Sequence, residues 1–312
     1  MDIKAPGECP TMTTRGKPIE VVNRYTRAVE LEQVYGDRWL RWTYDTALGR
    51  LVLALVVRRA FFSRWYGWRM SRPASRARIA PFIRDYRLDP KEFADPVESY
   101  GSFNEFFSRR LRPDARPICA GAGDIAFPAD GRHLGVADVT AAGQFYAKGQ
   151  QFDLASLLDD AALTRRFMRG AMVISRLCPV DYHRFHFPVG GRAEAPVFVQ
   201  GPLYSVSPIA LRRRLRCLVE NKRARTVVET EHGGGVVVVE IGATCVGTII
   251  HTAGAGPVGR GQEKGYFRFG GSCVITLFEP GRVRLADDLL AAAADGRELY
   301  AQVGDRMAVV VG

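Results

Sequence analysis

The sequence lacks the features that mark a secreted or membrane-spanning protein. Its six cysteines are scattered without a CxxC pair, which is typical neither of a disulfide framework nor of a zinc knuckle. The first 18 residues contain no apolar core of a signal peptide, so we expect no export. The longest apolar run covers only residues 51–57, whereas a membrane-spanning helix needs about 20 residues. The composition therefore predicts a cytoplasmic protein whose thiols are reduced.

Acidic residues are scarce between positions 38 and 78. This window holds ten arginines and one acid, Asp45, and so carries +9 of the formal net charge of +11. All four tryptophans lie among these arginines: Trp39, Trp42, Trp65 and Trp68. Such a segment suits the headgroup layer of a membrane, although stacking on nucleic acid or packing on its own domain are alternatives. The Leu- and Val-rich run favours lipid, so we expect peripheral contact with an anionic membrane and no nucleic acid.

The pattern of apolar residues changes along the chain. From Ile19 to about Ala80 the spacing predicts helices, whereas short strands and turns dominate from residue 120 onward. Ser102, with Glu105 three residues later, predicts a capped short helix. We therefore predict an α+β fold with a helical, basic N-terminal region over 1–95. A second domain over 96–312 should contain a largely antiparallel or barrel-like sheet.

Two glycines interrupt an otherwise strand-like stretch near the C-terminus. Bulky apolar and aromatic residues over 266–278 predict one strand, but Gly270-Gly271-Ser272-Cys273 lies within it. Glycines inside a strand usually mark a β-bulge or a close approach of the backbone. Alternatively, the Gly-Ser peptide is the site of chemistry, with Ser272 attacking the carbonyl that precedes it. This alternative requires a base for the serine.

The candidates for that base are histidines. His183 and His186 lie in one segment with Cys178, but no further ligand occurs at a spacing typical of a metal site. A structural role in a loop and acid–base chemistry both remain open. Asp130 precedes a glycine and is either a turn residue or the carboxylate that orients a histidine. Asp130, one histidine and Ser272 would together supply the orienting carboxylate, the base and the nucleophile that this chemistry needs.

Seven segments, taken together and in order, resemble the phosphatidylserine decarboxylase family. They are FPADG at 127–131, KG at 148–149 with Phe152 and Leu154, LCPVDYHRFHFP at 177–188, LYSVSP at 203–208, ENKR at 220–223, IGATCVG at 241–247 and residues 265–281. The resemblance runs from about Ser102 to Gly281. Cys273 stands where the family usually has threonine, and Ser207 where it usually has asparagine.

The resemblance implies that the chain cuts itself between Gly271 and Ser272, with residues 272–312 remaining bound to residues 1–271 as a heterodimer. Asp130 would orient His186, and His186 would take the proton of Ser272 Oγ. Ser272 would become a pyruvoyl group, the cofactor. Its carbonyl would condense with the amine of phosphatidylserine and act as an electron sink for loss of CO₂. His183 would protonate the carbanion, giving phosphatidylethanolamine.

The resemblance also implies a place for the enzyme, on the cytoplasmic face of the cell membrane. The basic, tryptophan-rich segment would then contact anionic lipid. Whether two heterodimers associate is left open by the sequence. The competing hypotheses are a pyruvoyl or amide-cleaving enzyme with a soluble substrate, and a non-catalytic membrane-binding module. The set of motifs argues against both.

Overall fold

The computed structural model describes residues 19–32, 42–43, 46–52, 60–141, 152–232, 234–243, 248–268, 270 and 272–311. Within these residues the α-helices are α1 (Ala47–Val52), α2 (Ala60–Met70), α3 (Ile79–Asp85), α4 (Phe103–Phe107), α5 (Leu154–Leu158), α6 (Ala161–Phe167), α7 (Pro208–Arg213), α8 (Cys217–Glu220) and α9 (Asp287–Ala294). Short 3₁₀ helices cover Pro73–Arg78, Pro90–Glu92, Val97–Ser99 and Val139–Ala141.

Strands make up most of the regular structure after residue 120. They are β1 (Glu20–Asn23), β2 (Val29–Leu31), β3 (Asp124–Ala126), β4 (Gly131–Val136), β5 (Met172–Leu177), β6 (Arg184–His186), β7 (Gly191–Ala193), β8 (Val197–Val199), β9 (Arg223–Glu229), β10 (Gly235–Gly242), β11 (Ile249–His251), β12 (Gly256–Val258), β13 (Glu263–Phe267), β14 (Ser272–Phe278), β15 (Val283–Leu285), β16 (Glu298–Ala301) and β17 (Arg306–Val310).

An open, mostly antiparallel sheet of eleven strands organises the described part of the chain. Its order is β12-β7-β9-β10-β14-β5-β4-β16-β1-β2, and β8 also pairs with β9. Two three-stranded sheets, β11-β13-β6 and β15-β17-β3, complete the described strands. The α+β class and the largely antiparallel pairing are confirmed. The barrel-like part of the prediction is wrong, because the two ends of this strand order, β12 and β2, do not pair among the described residues.

Central strand β10 is apolar along its length because both of its faces are covered. Val237, Val239 and Ile241 pack into one core cluster. Val236 and Val238 pack into a second cluster on the opposite face. Since side chains alternate across a strand, a continuous run of β-branched residues is what a strand buried on both faces requires.

A buried ionic cluster ties the small sheet β11-β13-β6 to the large one. Lys264 Nζ lies 2.7 Å from Glu240 Oε1, and His251 Nε2 lies 3.0 Å from Glu240 Oε2. Lys264 and Glu240 are both almost fully buried. Burial lowers the pKa of Lys264, although the Glu240 carboxylate opposes this effect. A buried charge is tolerated only with such a partner, so the cluster fixes how these two sheets meet.

The start of the described chain differs from the helical prediction. Residues 20–23 and 29–31 form strands β1 and β2, so the prediction of helix is wrong there. β1 pairs in parallel with β16, which places Val21 opposite Glu298. Helix is found at α1, α2 and α3. The predicted domain boundary near residue 95 stays a prediction.

Helix α2 has two unlike faces. Ser63 and Met70 are buried, and the Gly67 carbonyl accepts a hydrogen bond from Asn104 of α4 at 3.1 Å. Phe61, Trp65 and Trp68, spaced four and three residues apart, are 61%, 47% and 57% exposed. This spacing puts the three aromatic side chains on one side of the helix. We call them the aromatic face.

Two arginines lie over rings of the aromatic face. Arg69 stacks on Trp65 and Arg72 on Trp68, with the guanidinium carbons 5.9 and 4.7 Å from the ring centroids. Trp42 is also partly exposed, at 38%, whereas Trp39 lies outside the described residues. None of the described helices is long and apolar enough to cross a membrane.

The predicted capped helix is confirmed as α4. Ser102 Oγ accepts a hydrogen bond from Glu105 N at 3.3 Å, and Glu105 Oε2 accepts one from Gly101 N at 2.7 Å. These two bonds satisfy free backbone donors at the start of the helix. The cap aims Phe106 and Phe107 inward, where both are fully buried. Phe107 then reaches the site described next.

Candidate active site

Ser272 begins a strand in the middle of the large sheet. It pairs with Gly242 of β10 on one side and with Leu177 of β5 on the other, and it is fully buried. The prediction of one interrupted strand over 266–278 is wrong. The chain leaves the small sheet at Phe267, the end of β13, and enters the large sheet at Ser272.

The backbone conformation between β13 and β14 explains one of the two glycines at 270–271. Gly270 has a φ of +136°, a value at which any other residue would be strained. Gly271, the residue before the serine, lies outside the described residues. Gly270 thus lies where the chain passes from the small sheet to the large one, two residues before the candidate nucleophile.

His183 is the histidine in contact with Ser272. Its Nδ1 lies 3.2 Å from Ser272 Oγ, and its Nε2 lies 2.9 Å from the Cys178 carbonyl oxygen. A carbonyl can only accept, so Nε2 carries the proton and Nδ1 has the free lone pair. The Ser272 hydroxyl therefore donates to Nδ1, which is the geometry of a base beside a nucleophile. The Phe107 ring stacks on the imidazole with centroids 3.9 Å apart.

Burial keeps this imidazole neutral. Burial lowers the pKa of His183 to about 3; the Cys178 carbonyl opposes this shift, and the positive charge of Arg109 adds to it. At neutral pH the ring is therefore in its unprotonated form, the only form that can accept the serine proton.

His186 lies three residues further along, at the end of β6. Its backbone N–H donates to the Pro128 carbonyl at 2.7 Å, but its side-chain Nδ1 is buried without a hydrogen-bond partner. Burial lowers the pKa of His186 to about 4, while Glu263 opposes this shift and Arg184 adds to it. His186 is thus also a neutral histidine, and it has an unused ring nitrogen.

Asp130 is fully committed to other partners. Arg116 donates to its carboxylate from Nε at 3.0 Å and from Nη2 at 2.8 Å, and the Val303 N–H donates to Oδ1 at 2.9 Å. Burial raises the pKa of this carboxyl, against the lowering effect of Arg116. Among the described contacts, no hydrogen bond joins Asp130 to His186.

The structure thus brings together only some of the predicted site residues. Ser272 and His183 are in direct contact. Asp130 and His186 are linked only through the backbone, because His186 N bonds the carbonyl of Pro128, two residues before Asp130. The roles assigned to these residues from the resemblance stay predictions.

The two departures from the family pattern have structural accounts. Cys273 lies on the opposite face of β14 from Ser272 and packs into the core cluster that contains Ile275. Burial raises the pKa of its thiol. Ser207 is the N-cap of α7, where its hydroxyl accepts a hydrogen bond from Ala210 N at 3.3 Å. Serine and asparagine serve about equally well at this position.

Sequence reasoning missed the arginines around the site. Arg116 holds Asp130, and Arg109 is buried close enough to His183 to affect its pKa. Both lie in the arginine-rich stretch 109–116 just after the capped helix. A cluster of arginines next to buried aromatic residues was the available signal.

Taken together, the geometry defines a class of site. A buried serine hydroxyl donates a hydrogen bond to a neutral histidine, two residues after Gly270. This arrangement is typical of enzymes in which histidine activates a serine hydroxyl.

Comparisons with known proteins assign the family. The model of the phosphatidylserine decarboxylase family matches residues 103–300. A phosphatidylserine decarboxylase proenzyme of Chlamydia muridarum is 43% identical over 92% of this chain and 95% of its own length. One of Desulfitobacterium hafniense is 36% identical over 93% of this chain and 98% of its own length. The chain belongs to the phosphatidylserine decarboxylase family.

Proposed function

We propose that the chain is a self-cleaving proenzyme that decarboxylates phosphatidylserine to phosphatidylethanolamine with a pyruvoyl group formed from Ser272. One observation carries the proposal: the buried contact between Ser272 Oγ and His183 Nδ1 at the start of β14. Support comes from the relatives, whose names describe phosphatidylserine decarboxylase proenzymes.

Self-cleavage on this proposal begins at the Ser272 hydroxyl. Ser272 Oγ attacks the carbonyl carbon of Gly271, the C–N bond breaks, and an ester replaces the peptide. Loss of the Cα proton then expels the Gly271 carboxylate and leaves dehydroalanine at position 272. Its imine tautomer takes up water and releases ammonia, which leaves a pyruvoyl group at the new N-terminus.

Two histidines compete for the role of base in this reaction. The resemblance assigns it to His186, oriented by Asp130, and the unused Nδ1 of His186 is consistent with such a role. The 3.2 Å contact with Ser272 Oγ favours His183 instead. Both rings are neutral at pH 7, so pKa does not separate them.

Single variants separate the two assignments. On the first assignment, His186→Ala and Asp130→Asn mature very slowly, whereas His183→Ala cleaves normally but does not decarboxylate. On the second assignment, His183→Ala does not cleave at all. Cleavage is followed on a denaturing gel, and His232→Ala, at an exposed histidine, is the matched control that should cleave like the wild type. Normal cleavage of both His183→Ala and His186→Ala would contradict both assignments.

The surroundings of position 272 fit a pyruvoyl group, because the atoms come from Ser272 itself and the site is buried. Such a group supplies an electron sink for loss of CO₂ from the serine headgroup. His183 Nδ1 lies beside the same position, so we assign it the uptake of the proton that the substrate ammonium loses before it condenses, and the later delivery of that proton to the carbon that loses CO₂.

The substrate is a lipid, and the aromatic face of α2 is our candidate for membrane contact. Exposed tryptophans that stack with arginines suit the layer between lipid headgroups and acyl chains. The surplus of arginine over residues 38–78 would add attraction to anionic lipid. The corresponding location is the cytoplasmic face of the cell membrane.

A decarboxylation assay tests the function directly. Purified wild-type protein should release CO₂ from phosphatidylserine without added pyridoxal phosphate. Cyanoborohydride together with substrate should inactivate it and attach the substrate to the small chain. Activity that depends on pyridoxal phosphate would overturn the proposal.

A further inference from the structure

A cavity lined in part by Tyr182, the residue before His183, has a charged inner wall. Its volume is about 590 Å³. Exposed residues, including Asp85 and Arg87, line its outer part, and the buried residues Arg109, Asp130 and Asp181 line its inner end. Asp181 and Tyr182, which also lines the cavity, lead in sequence directly to His183. The cavity wall therefore extends from exposed residues to the residue that precedes His183 in the chain, while Ser272 and His183 themselves do not line it.

Most of the deep charges in this cavity neutralise each other. Arg116 binds Asp130 at 2.8 Å, and Arg132 Nη1 binds Asp181 Oδ1 at 2.6 Å. These pairs leave neither carboxylate free to repel an anion. Glu92 is likewise paired with Arg116 at 3.1 Å, whereas the exposed acids Asp85 and Asp89 line the outer part of the cavity.

Arg109 is different from these paired arginines. It is only 5% exposed, yet its Nε and Nη1 atoms have no hydrogen-bond partner. Its guanidinium lies over the rings of Phe93 and Phe106, at 5.0 and 4.9 Å from their centroids. The rings hold the guanidinium in place but cannot accept its in-plane N–H groups. Buried donors without acceptors are rare in folded proteins and require an explanation.

The charge of Arg109 is retained at the site. Burial lowers the pKa of Arg109 to about 10, so the guanidinium is positive at neutral pH. Arg109 lies two positions after Phe107, whose ring stacks on the His183 imidazole. The positive charge of Arg109 helps to lower the pKa of His183. A fixed, positive guanidinium with unpaired N–H groups in the wall of a cavity suits an anion with several acceptor oxygens.

We infer that Arg109 binds the phosphodiester of the lipid headgroup and so positions the serine amine at residue 272. The inference rests on the proposed function. Phosphatidylserine offers two anions, the carboxylate and the phosphodiester. An arginine on the carboxylate would stabilise the charge that the reaction removes, and so would bind the substrate more strongly than the transition state. The phosphodiester keeps its charge throughout, so binding it does not oppose the loss of CO₂.

The test compares Arg109→Met with Arg110→Met. Arg110 is the neighbouring arginine, lies outside the cavity lining, and pairs with Asp95 in an exposed position. With short-chain phosphatidylserine, Arg109→Met should raise KM by about 10- to 100-fold, as expected for loss of a hydrogen bond to a charged group. It should change kcat much less and should still cleave itself. Arg110→Met should keep the wild-type KM.

Product inhibition distinguishes the two anions. Short-chain phosphatidylethanolamine keeps the phosphodiester and lacks the carboxylate. Its inhibition constant should rise in Arg109→Met by about the same factor as KM. A raised KM with an unchanged inhibition constant would overturn the phosphodiester assignment, and an unchanged KM would overturn the inference altogether.

A conservative variant keeps the test decisive if Arg109→Met does not mature. Arg109→Lys retains the charge but not the planar pair of donors, so its KM should rise by a smaller factor. A wild-type KM in Arg109→Lys would then overturn the inference. A wild-type protein without decarboxylase activity would instead contradict the proposed function, and binding of short-chain phosphatidylethanolamine, measured by calorimetry, would still test Arg109.

Discussion

At the scale of single residues, the site depends on histidines that burial holds neutral. Burial is the largest cause of the lowered pKa values of His183, His186 and His133. His133 of β4 is held between Ser175 Oγ at 2.9 Å and the Ala301 carbonyl at 3.1 Å. A neutral base is thus obtained by placing imidazole in the core rather than beside a carboxylate.

The same burial predicts how stability depends on pH. The folded pKa values, about 3 to 4, lie below the unfolded value of about 6.5, so the unfolded state binds more protons in acid. Stability is therefore complete above pH 6.5 and falls as pH decreases. Between pH 7 and pH 5 each of these histidines should remove about 2 kcal/mol from the free energy of unfolding.

Urea unfolding of the uncut Ser272→Ala chain at pH 7 and pH 5 measures this effect. The midpoint should be clearly lower at pH 5. Adding His183→Gln should reduce the difference between the two pH values by about 2 kcal/mol, the share of one histidine. Equal stability at both pH values would contradict neutral burial of these rings.

At the scale of elements, the clearest feature is the placement of the aromatic face on α2. The helix packs Met70 inward while Phe61, Trp65 and Trp68 remain at the surface. Three large aromatic residues on one exposed helix face usually mark an interaction surface. The stacked arginines Arg69 and Arg72 add positive charge to this surface.

We expect the double variant Trp65→Ser/Trp68→Ser to lose binding to vesicles that contain anionic lipid. Phe198→Ser is the matched control, because Phe198 is 49% exposed but lies on β8, outside the basic segment. Sedimentation with anionic and neutral vesicles, at low and high salt, measures binding. Wild-type binding should strengthen with anionic lipid and weaken as salt screens the charges. Equal binding of the double variant and the wild type would exclude the aromatic face as the contact.

Elements also show where sequence reasoning reaches its limit. The short capped helix α4 was predictable, because Ser102 and Glu105 satisfy each other within one turn. The strand pairing of β1 was not, because its partner β16 lies near the other end of the chain. The resemblance also predicted Ser272 and His183 as candidate site residues, and the structure brings these two side chains into contact. The ion pair between Arg116 and Asp130 forms only in the folded chain, and the spacing of these residues in the sequence did not predict it.

At the scale of the whole molecule, the proposed cut divides the large sheet between two chains. Residues after the cut supply β14, which lies between β10 and β5, and β16, which lies between β4 and β1. They also supply β17, which pairs with β3. The small chain is thus interleaved with the large one through backbone hydrogen bonds. We therefore expect cleavage at this bond to leave the strand pairing in place, so that only denaturation separates the pieces.

The intact mass of the purified protein under denaturing conditions tests the central claim most directly. Wild-type protein should give two chains, residues 1–271 and 272–312. The smaller should resist Edman degradation and weigh less than its encoded sequence by one ammonia, because a pyruvoyl group replaces the N-terminal serine. Ser272→Ala should remain one uncut, inactive chain. A wild-type protein that stays whole, or a Ser272→Ala chain that is still cut at this bond, would contradict the account.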